Sequence, residues 1–319
     1  MNVIEGPPGT GKTQTILNII ANAVINGKSV AVVSSNNSAT KNVYDKLEKN
    51  EISFIAALLG NTENKKEFIV SQTDIPDLSE YRLSEEEKEK KTRDARNLFH
   101  QLTQFLSIKN DLALNKQELD DIETEYNHFN NERNDKTIYF DKYLQSISAD
   151  KMLEIWLAIK TEAQKGYNFG FIKRLIFRFK YGIKDKSFYQ LSFEEMIFIC
   201  QSEYYPAMIL ELSKKKERLE HSLDKFSFES KMSEYTKLSM HLFKAELNKR
   251  YDSKERGKYA INELRSKSSE FIEDYPVVMS TTYSLRQSLS DTISYDYVII
   301  DEASQVDIAT GALALSWRV

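Results

Sequence analysis

The sequence predicts an α/β fold in which a parallel sheet with flanking helices is interrupted by a large, mainly α-helical hairpin. Apolar strands alternate with helices at both ends of the chain, an order typical of parallel sheets. A glycine-rich turn joins the first strand to the first helix. Only three of the ten glycines lie between residues 61 and 256, and this stretch is rich in Glu, Lys, Leu and Gln, so it is predicted to be helical.

Short apolar runs predict the first part of the sheet. Residues 3–4 (Val-Ile) form a short strand that leads into the glycine-rich turn, and a helix follows over 12–25. Residues 29–34 are a continuous apolar run, of the kind that is buried on both faces of a parallel sheet. A helix over 38–49 and a strand over 52–59 follow.

Two more strands are predicted near the carboxyl terminus, over 277–280 and 297–300. The sheet domain therefore consists of residues 1–60 and 276–319, and residues 61–275 are inserted within it. A chain of 319 residues exceeds the usual size of one domain, which agrees with a domain that carries an insertion.

The insertion contains two predicted helical arms, over 84–135 and 207–272. In the first arm an apolar residue recurs every seventh position, and a similar stripe occurs in the second. Polar residues at half-heptad positions make the seam imperfect, so the pattern favours an antiparallel hairpin over a strict two-stranded coiled coil. The first stripe consists of Leu98, Phe105, Leu112, Leu119 and Tyr126, and the polar positions are Lys109, Lys116 and Glu123.

A basic and aromatic tip over 165–189 lies between the arms. Basic residues interleaved with Phe and Tyr suit a platform for single-stranded nucleic acid, with contacts from Lys173, Arg174, Arg178 and Lys180. The alternative is a compact tip in which one apolar face of a helix fills a small core and the basic heads reach water. That face would consist of Phe169, Phe171, Leu175, Ile176 and Phe179.

The charge, the apolar runs and the cysteine content of the sequence exclude several classes of protein. The net charge of −4 means that any contact with nucleic acid must come from a local patch. No apolar run is long enough to span a bilayer, and no signal peptide is evident, so we expect a cytoplasmic monomer without a membrane partner. The single cysteine, Cys200, excludes an intramolecular disulfide and a cysteine-rich zinc site.

The glycine-rich turn has the sequence of a phosphate-binding P-loop. Its glycines allow backbone N–H groups to converge on phosphate oxygens, and the helix that follows adds a favourable dipole. Lys12 reaches the β- and γ-phosphates of ATP, and the Thr13 hydroxyl is placed to bind Mg²⁺. The predicted nucleotide-binding residues are Gly6, Pro7, Pro8, Gly9, Thr10, Gly11, Lys12, Thr13 and Gln14. The sequence thus predicts a P-loop NTPase that uses ATP and Mg²⁺.

An acidic pair ends the last predicted strand. Asp301 is expected beside the P-loop, where its carboxylate would help to hold Mg²⁺, and Glu302 would accept a proton from the attacking water. Lys12 and Glu302 are therefore the predicted catalytic residues. Alone, an Asp-Glu pair at a turn is more often a solvated surface feature, and its combination with the P-loop favours the catalytic interpretation.

Four segments resemble motifs I, Ia, Ic and II of superfamily 1 helicases, in the same order along the chain. They read GPPGTGKTQT, VAVVSSNNSATKNVYDKL, VVMSTTYSL and YDYVIIDEASQ. The resemblance is strongest to the 5′→3′ group, which includes the nonsense-mediated-decay helicase and the Okazaki-flap helicase-nuclease. It implies a RecA-like ATP-binding domain that couples ATP hydrolysis to movement along single-stranded nucleic acid, with DNA favoured over RNA.

The resemblance also implies residues that contact the nucleic-acid backbone. Asn36, Asn37 and Ser38 match motif Ia, and Thr281 and Thr282 match the segment before motif II. A role for Ser38 in capping a helix is equally compatible with its position. Gln305 follows the acidic pair, and the resemblance implies that it senses the γ-phosphate or couples the site to later motifs.

Motif III and a second RecA-like domain are not found in the sequence, so we expect a fragment that binds nucleotide but is not a competent helicase alone. Two alternatives remain. The chain could be a non-catalytic module whose arms bind nucleic acid or a protein partner. A chromosome-maintenance-type ATPase is disfavoured, because residues 284–297 lack the glycine-containing signature that this class requires before its acidic pair.

Overall fold

The computed structural model describes residues 2–7, 9–72, 74–131, 147–165, 170–252, 254–290 and 292–316. The chain divides into two compact units, of which the first contains Met1–Ala95 with Thr236–Val319 and the second contains Arg96–Tyr235. Two long helices cross the boundary between the units.

The first unit contains a four-stranded parallel sheet flanked by helices, which confirms the predicted fold class. Its order is β2-β3-β1-β4, and Val30 of β1 lies in register with Val277 of β3 and Tyr297 of β4. The strands are β1 (Val30–Ser34), β2 (Ala56–Leu58), β3 (Val277–Thr281) and β4 (Tyr297–Ile300). The α-helices of the described residues in both units are α1 (Lys12–Ile25), α2 (Asn37–Lys49), α3 (Thr62–Val70), α4 (Glu85–Asn131), α5 (Ala149–Gln164), α6 (Phe171–Tyr181), α7 (Phe193–Asp224), α8 (Phe228–Tyr251), α9 (Ser268–Asp274), α10 (Ser284–Ser288) and α11 (Ile308–Leu315).

Both faces of the sheet are covered, as expected for parallel strands with continuous apolar sequences. On one face, Ile20 of α1 and Leu47 of α2 pack with Val32 of β1. On the other, Phe271 of α9 packs with Val33 of β1. Burial on both sides holds the strands in position. The candidate functional residues lie at the edge of the sheet where the carboxyl ends of these strands meet.

The predicted strand at Val3-Ile4 is wrong. No strand occurs among the described residues 2–7, and the side chains of Val3 and Ile4 are 72% and 59% exposed. Two apolar residues form too few ladder hydrogen bonds to hold an edge strand against solvent. The predicted strand over 52–59 is shorter than expected, because Ser53–Ile55 form a 3₁₀ turn before β2.

A hydrogen-bonded cluster joins the beginnings of β1 and β4. The Asp296 carboxylate accepts hydrogen bonds from the Ser29 N–H at 2.9 Å and from the Lys28 ammonium at 2.9 Å. The Ser29 hydroxyl donates to the same carboxylate at 3.0 Å and accepts from the Asp296 N–H at 3.1 Å. The Ser29 N–H and the Lys28 ammonium lower the pKa of the Asp296 carboxyl group.

Replacing Asp296 with asparagine is expected to lower the free energy of unfolding at pH 7. Because the pKa of Asp296 is lowered in the folded state, its stabilising contribution is complete above the unfolded-state pKa of about 3.9 and is lost as the pH falls further. The difference in stability between the wild-type chain and the variant should therefore shrink below about pH 4. Urea denaturation across this range measures the difference, and Asp45→Asn on the exposed face of α2 is the control. A difference that is constant with pH would contradict the expectation.

Parts of the predicted insertion pack within the first unit. Phe68 of α3 lies edge-on to Phe271 and Tyr275, with ring centroids 5.9 and 5.0 Å apart. Phe54 and Tyr251 of α8 form a similar pair at 5.6 Å. Residues 61–95 and 236–275 were placed in the insertion by their position in the sequence, whereas these aromatic contacts tie them to the sheet.

The two arms form an antiparallel hairpin. In the second unit, Phe105 of α4 stacks on Phe226 with centroids 4.9 Å apart, and Tyr126 lies 5.7 Å from Tyr205. Increasing residue numbers in α4 thus pair with decreasing numbers in the second arm. The heptad residues Leu98, Leu112 and Leu119 are buried, and so is Asn115, whose amide has no hydrogen-bond partner among the described residues.

The second arm differs from the helix predicted over 207–272. It begins with α7 at Phe193, where Ser192 forms a capping box with Glu195, and α7 continues through Pro206. A break at residues 225–227 separates α7 from α8, and the described residues between 254 and 267 are not α-helical. The predicted arm began after Pro206, whereas α7 contains this proline in its interior, a position where proline removes a backbone donor.

The tip has a small core that is not the one predicted. Phe177 and Tyr181 of α6 are buried with Ile155 of α5 and Ile199 of α7. Phe171, Leu175, Ile176 and Phe179, which would form the core in the compact-tip alternative, are instead exposed, and Phe169 lies outside the described residues. The apolar face of α6 was identified correctly, but the opposite side of the helix packs inward. Among the described residues, no helix is both long and apolar enough to cross a bilayer.

Candidate nucleotide-binding site

The topology brings the P-loop and the acidic pair to one edge of the sheet. The helix α1 is followed after a short turn by β1, so the amino terminus of α1 lies at the carboxyl end of that strand. β4 is parallel to β1, and the Asp301 N–H donates to the Val33 carbonyl at 2.8 Å, directly after β4 ends. Ligands of open parallel sheets bind at this edge.

Backbone geometry explains the glycines of the loop. Gly9 and Gly11 have φ angles of 85° and 88°, in the left-handed region that side chains other than glycine rarely adopt. A Cβ atom on Gly6 would lie 2.5 Å from the Thr10 hydroxyl. That hydroxyl donates to the Pro7 carbonyl at 2.7 Å and closes the loop. Pro8 lies outside the described residues.

The amino terminus of α1 is suited to an anion. Gly11 is its N-cap, no side chain caps the helix, and its first turn contains no acidic residue. The first N–H groups of a helix have no partner within the helix and carry the positive end of its dipole. Thr13 and Gln14 lie in this first turn. The side-chain amide nitrogen of Gln14 donates a hydrogen bond to the side-chain oxygen of Asn18 at 3.4 Å.

Lys12 lies across the loop. Its ammonium group donates to the Gly6 carbonyl at 2.6 Å and to the Pro7 carbonyl at 3.3 Å. These contacts keep a flexible side chain close to the backbone that is predicted to surround the phosphates. A positive charge is therefore positioned beside the uncapped helix terminus.

The acidic pair occupies a strained turn. Glu302 has φ 53° and ψ 42°, a left-handed conformation that is uncommon for a residue with a side chain. Its N–H donates to the Asp301 carboxylate at 3.0 Å, and its side chain is exposed. Strain of this kind is concentrated at functional sites, where the surrounding structure maintains it. Gln305 follows one turn later and is also exposed.

The donor groups at this edge fit Mg²⁺. A hydroxyl from Thr13 and a carboxylate oxygen from Asp301 are hard oxygen ligands, and Mg²⁺ is usually held by one or two protein ligands together with phosphates. Within the described part of the chain, no group of three or more His, Cys, Asp or Glu side chains could form a cage for a metal.

The motif Ia residues begin α2 at the same edge. Asn36 is the N-cap, and its side chain accepts from the Ser38 N–H at 2.9 Å. Capping is therefore performed by Asn36, and the exposed Ser38 hydroxyl is not needed for it. Asn37 is half-buried, and its amide oxygen has no hydrogen-bond partner among the described residues.

Thr281 and Thr282 differ in their environments. The half-buried Thr281 hydroxyl accepts from the Ser284 N–H at 3.1 Å at the start of α10. The Thr282 side chain is 2% exposed, and its hydroxyl donates to the Ser34 carbonyl at 3.2 Å. Thr282 thus joins the ends of β1 and β3, and Thr281 has the more accessible side chain of the two.

Sequence reasoning missed two residues at this edge. Asn61 follows β2, caps α3 and accepts from the Asn64 N–H at 2.7 Å. Tyr283 follows β3, and its side chain is 67% exposed. The position of Asn61 after a buried strand was a signal that could have identified it, since polar residues at that position face the edge where ligands bind.

The basic residues of the tip belong to the second unit. Lys173 is paired with Glu162 of α5, and the Lys180 ammonium lies 3.0 Å from the Tyr181 hydroxyl. Arg174, Arg178 and Lys180 are exposed on α6.

Comparisons with known proteins identify sequences that are similar to this chain. The sequence matches the AAA domain family over residues 1–315. It is 53% identical over 45 residues to an uncharacterized ATP-dependent helicase, MG140, of Mycoplasma genitalium, a segment that is 14% of this chain and 4% of that protein. It is 38% identical over 55 residues to the DNA polymerase alpha-associated DNA helicase A of Schizosaccharomyces pombe, a segment that is 17% of this chain and 8% of that protein. The matches thus span a small part of these relatives.

Proposed function

Because the chain belongs to the AAA domain family, we propose that it is the ATP-binding part of an ATP-dependent helicase, which couples ATP hydrolysis to movement along single-stranded nucleic acid. The observation that carries this proposal is the shared carboxyl edge of the sheet. The acidic turn follows β4 and the motif Ia residues follow β1 at this edge, and the uncapped amino terminus of α1 lies at the carboxyl end of β1. The similarity to ATP-dependent helicases supports the same class of activity.

The chemistry follows from the charges at the edge. Backbone N–H groups of residues 9–13 bind phosphate oxygens of ATP, and the Lys12 ammonium exchanges its loop carbonyls for the β- and γ-phosphates. Thr13 and Asp301 would hold Mg²⁺, and the ion would supply neutralisation of phosphate charge. The Glu302 carboxylate extends into solvent and accepts a proton from the water that attacks the γ-phosphate. Gln305 lies one turn beyond and senses the γ-phosphate.

The path of the nucleic acid is proposed along the same edge. Asn36, Asn37 and Ser38 at the start of α2, together with Thr281 after β3, present short polar groups that suit phosphates and sugars. Such contacts do not read bases, so the proposed movement is independent of sequence. The form of the motif segments, DEASQ at residues 301–305 in particular, supports the 5′→3′ group of helicases, and we propose DNA as the preferred strand.

Stimulation of ATP turnover by nucleic acid tests the proposal. ATP hydrolysis by the full chain should rise when single-stranded DNA is added, and Ser38→Ala should weaken binding of the oligonucleotide by roughly 2- to 10-fold, the effect of one hydrogen bond. Ser38 is suitable because the helix cap is retained by Asn36. Ser230→Ala on the exposed face of α8 is the matched control. Binding of ATP without any response to DNA would favour the alternative of a non-catalytic interaction module.

A further inference from the structure

The helix α6 exposes an apolar face that no other described element covers. Its apolar side chains have exposed fractions between 38% and 83%, although its other side is packed into the core of the tip. The exposed residues are Phe171, Ile172, Leu175, Ile176 and Phe179. At 100° per residue they occupy a continuous arc of about 140°. Scattered exposed apolar residues are common on proteins, but a contiguous face of this kind marks an interaction surface.

Basic residues flank this face on both sides. Helical spacing places Lys180 beside one border of the apolar face and Arg178 beside the other. Lys173 and Arg174 lie further from the face around the helix. Residues 170–189 contain six basic residues and one acid, Asp185. Lys173 is neutralised by Glu162 of α5, whereas Arg178 and Lys180 are exposed at the borders. The partner of this face must therefore combine an apolar interior with a negatively charged surface.

We propose that α6 docks on the surface of a lipid bilayer that contains anionic headgroups. An amphipathic helix with Phe and Leu on one face and Lys and Arg at its margins lies in the plane of the interface, with its apolar face among the acyl chains. The long stems of Lys and Arg lie along apolar surface while their charged ends reach the headgroups. The prediction of no membrane partner came from the absence of a spanning run, and a helix that lies on the surface needs no such run.

The geometry favours a bilayer over the two other anionic partners. A platform for single-stranded nucleic acid relies on aromatic rings on which bases stack, but the middle of this face is formed by Ile172, Leu175 and Phe179, two of which are aliphatic. A groove in a protein partner encloses a helix from several sides. Because Phe177 and Tyr181 hold the opposite side of α6 in the core, only a shallow convex arc is offered, and a flat, deformable surface suits this shape.

Co-sedimentation of the full chain with vesicles tests the proposal. The wild-type chain should bind phosphatidylcholine vesicles that contain phosphatidylserine, and should bind pure phosphatidylcholine vesicles more weakly. Arg178→Gln with Lys180→Gln should lower the affinity for anionic vesicles by roughly 30-fold, as expected for two basic residues near the surface. Ile172→Gln with Phe179→Gln should lower the affinity for both kinds of vesicle by at least about tenfold.

Matched variants separate this surface from general effects. Val70→Gln with Leu106→Gln removes two exposed apolar side chains elsewhere, and Lys214→Gln with Lys215→Gln removes two exposed charges from α7. Both control pairs should bind vesicles like the wild-type chain. All substituted residues are exposed, and circular dichroism shows whether the helices are retained.

Several results would overturn the proposal. These are the absence of vesicle binding, equal binding by the α6 variants and the wild-type chain, or equal losses in the control pairs. Loss of oligothymidylate binding in the α6 variants, without any vesicle binding, would assign the face to nucleic acid. A shift from dimer to monomer in Ile172→Gln with Phe179→Gln would assign it to a second copy of the chain.

Discussion

Replacing Lys12 with alanine is expected to weaken the binding of ATP by at least roughly 30-fold, since removal of one partner from a charged, hydrogen-bonded pair costs about 2–5 kcal/mol. The Lys12 ammonium lies 2.6 Å from the Gly6 carbonyl, at the loop that is predicted to surround the phosphates. Alanine keeps good helix propensity at the first position of α1, so the helix should be retained. A fluorescent ATP analogue, titrated with Mg²⁺ present, measures the affinity.

A lysine outside the loop provides the control for Lys12→Ala. Lys49 is exposed in the last turn of α2, and Lys49→Ala removes the same charge from the first unit. Its affinity for the nucleotide should remain within about twofold of the wild-type value. Unchanged binding by a folded Lys12→Ala chain would contradict the assignment of the P-loop. Equal losses in both variants would mean that general electrostatic attraction, and not a positioned ammonium group, accounts for binding.

The sheet and the backbone geometry of the glycine-rich loop were predictable because their residues act through local constraints. Gly9 and Gly11 adopt left-handed backbone, which the sequence indicates through residue type alone. The continuous apolar run of β1 requires burial on both faces wherever it lies in the fold. These requirements define the turn, α1 and β1 along the chain, and Asp301 lies next to β1 because β4 pairs with that strand. The strand predicted at Val3-Ile4 failed because pairing depends on a neighbouring strand and not on local sequence.

The insertion was less predictable because its helices can pack in several ways. The heptad stripe of α4 correctly predicted an antiparallel hairpin, but it did not show that α7 continues through Pro206. At the tip, both sides of α6 contain aromatic residues, so periodicity could not decide between Phe177 and Phe179 as the buried ring. The strain at Glu302 could not be predicted either, since an Asp-Glu pair gives no sign of a left-handed turn.

Replacing Glu302 with glutamine is expected to lower ATP turnover by roughly 10²- to 10⁴-fold, the usual contribution of a general base. Glutamine has nearly the same shape and the same backbone preferences, so the turn after β4 should be unchanged. ATP affinity should stay within about threefold, because Lys12 and the α1 terminus provide most of the binding. Single-turnover hydrolysis and analogue binding, measured on the same preparations, separate the two effects. Glu48→Gln, on the exposed side of α2, is the control.

A second substitution at Glu302 distinguishes a base from a residue that only shapes the turn. Glycine adopts φ 53° without the steric cost that glutamate incurs, so Glu302→Gly should raise the free energy of unfolding by about 1 kcal/mol. It should abolish turnover as completely as glutamine does, since neither residue accepts the proton. Higher stability with lost activity is the result expected if the chain retains a strained turn in order to position a carboxylate. Turnover that survives in Glu302→Gly would show that another group accepts the proton and that the strain serves a different purpose.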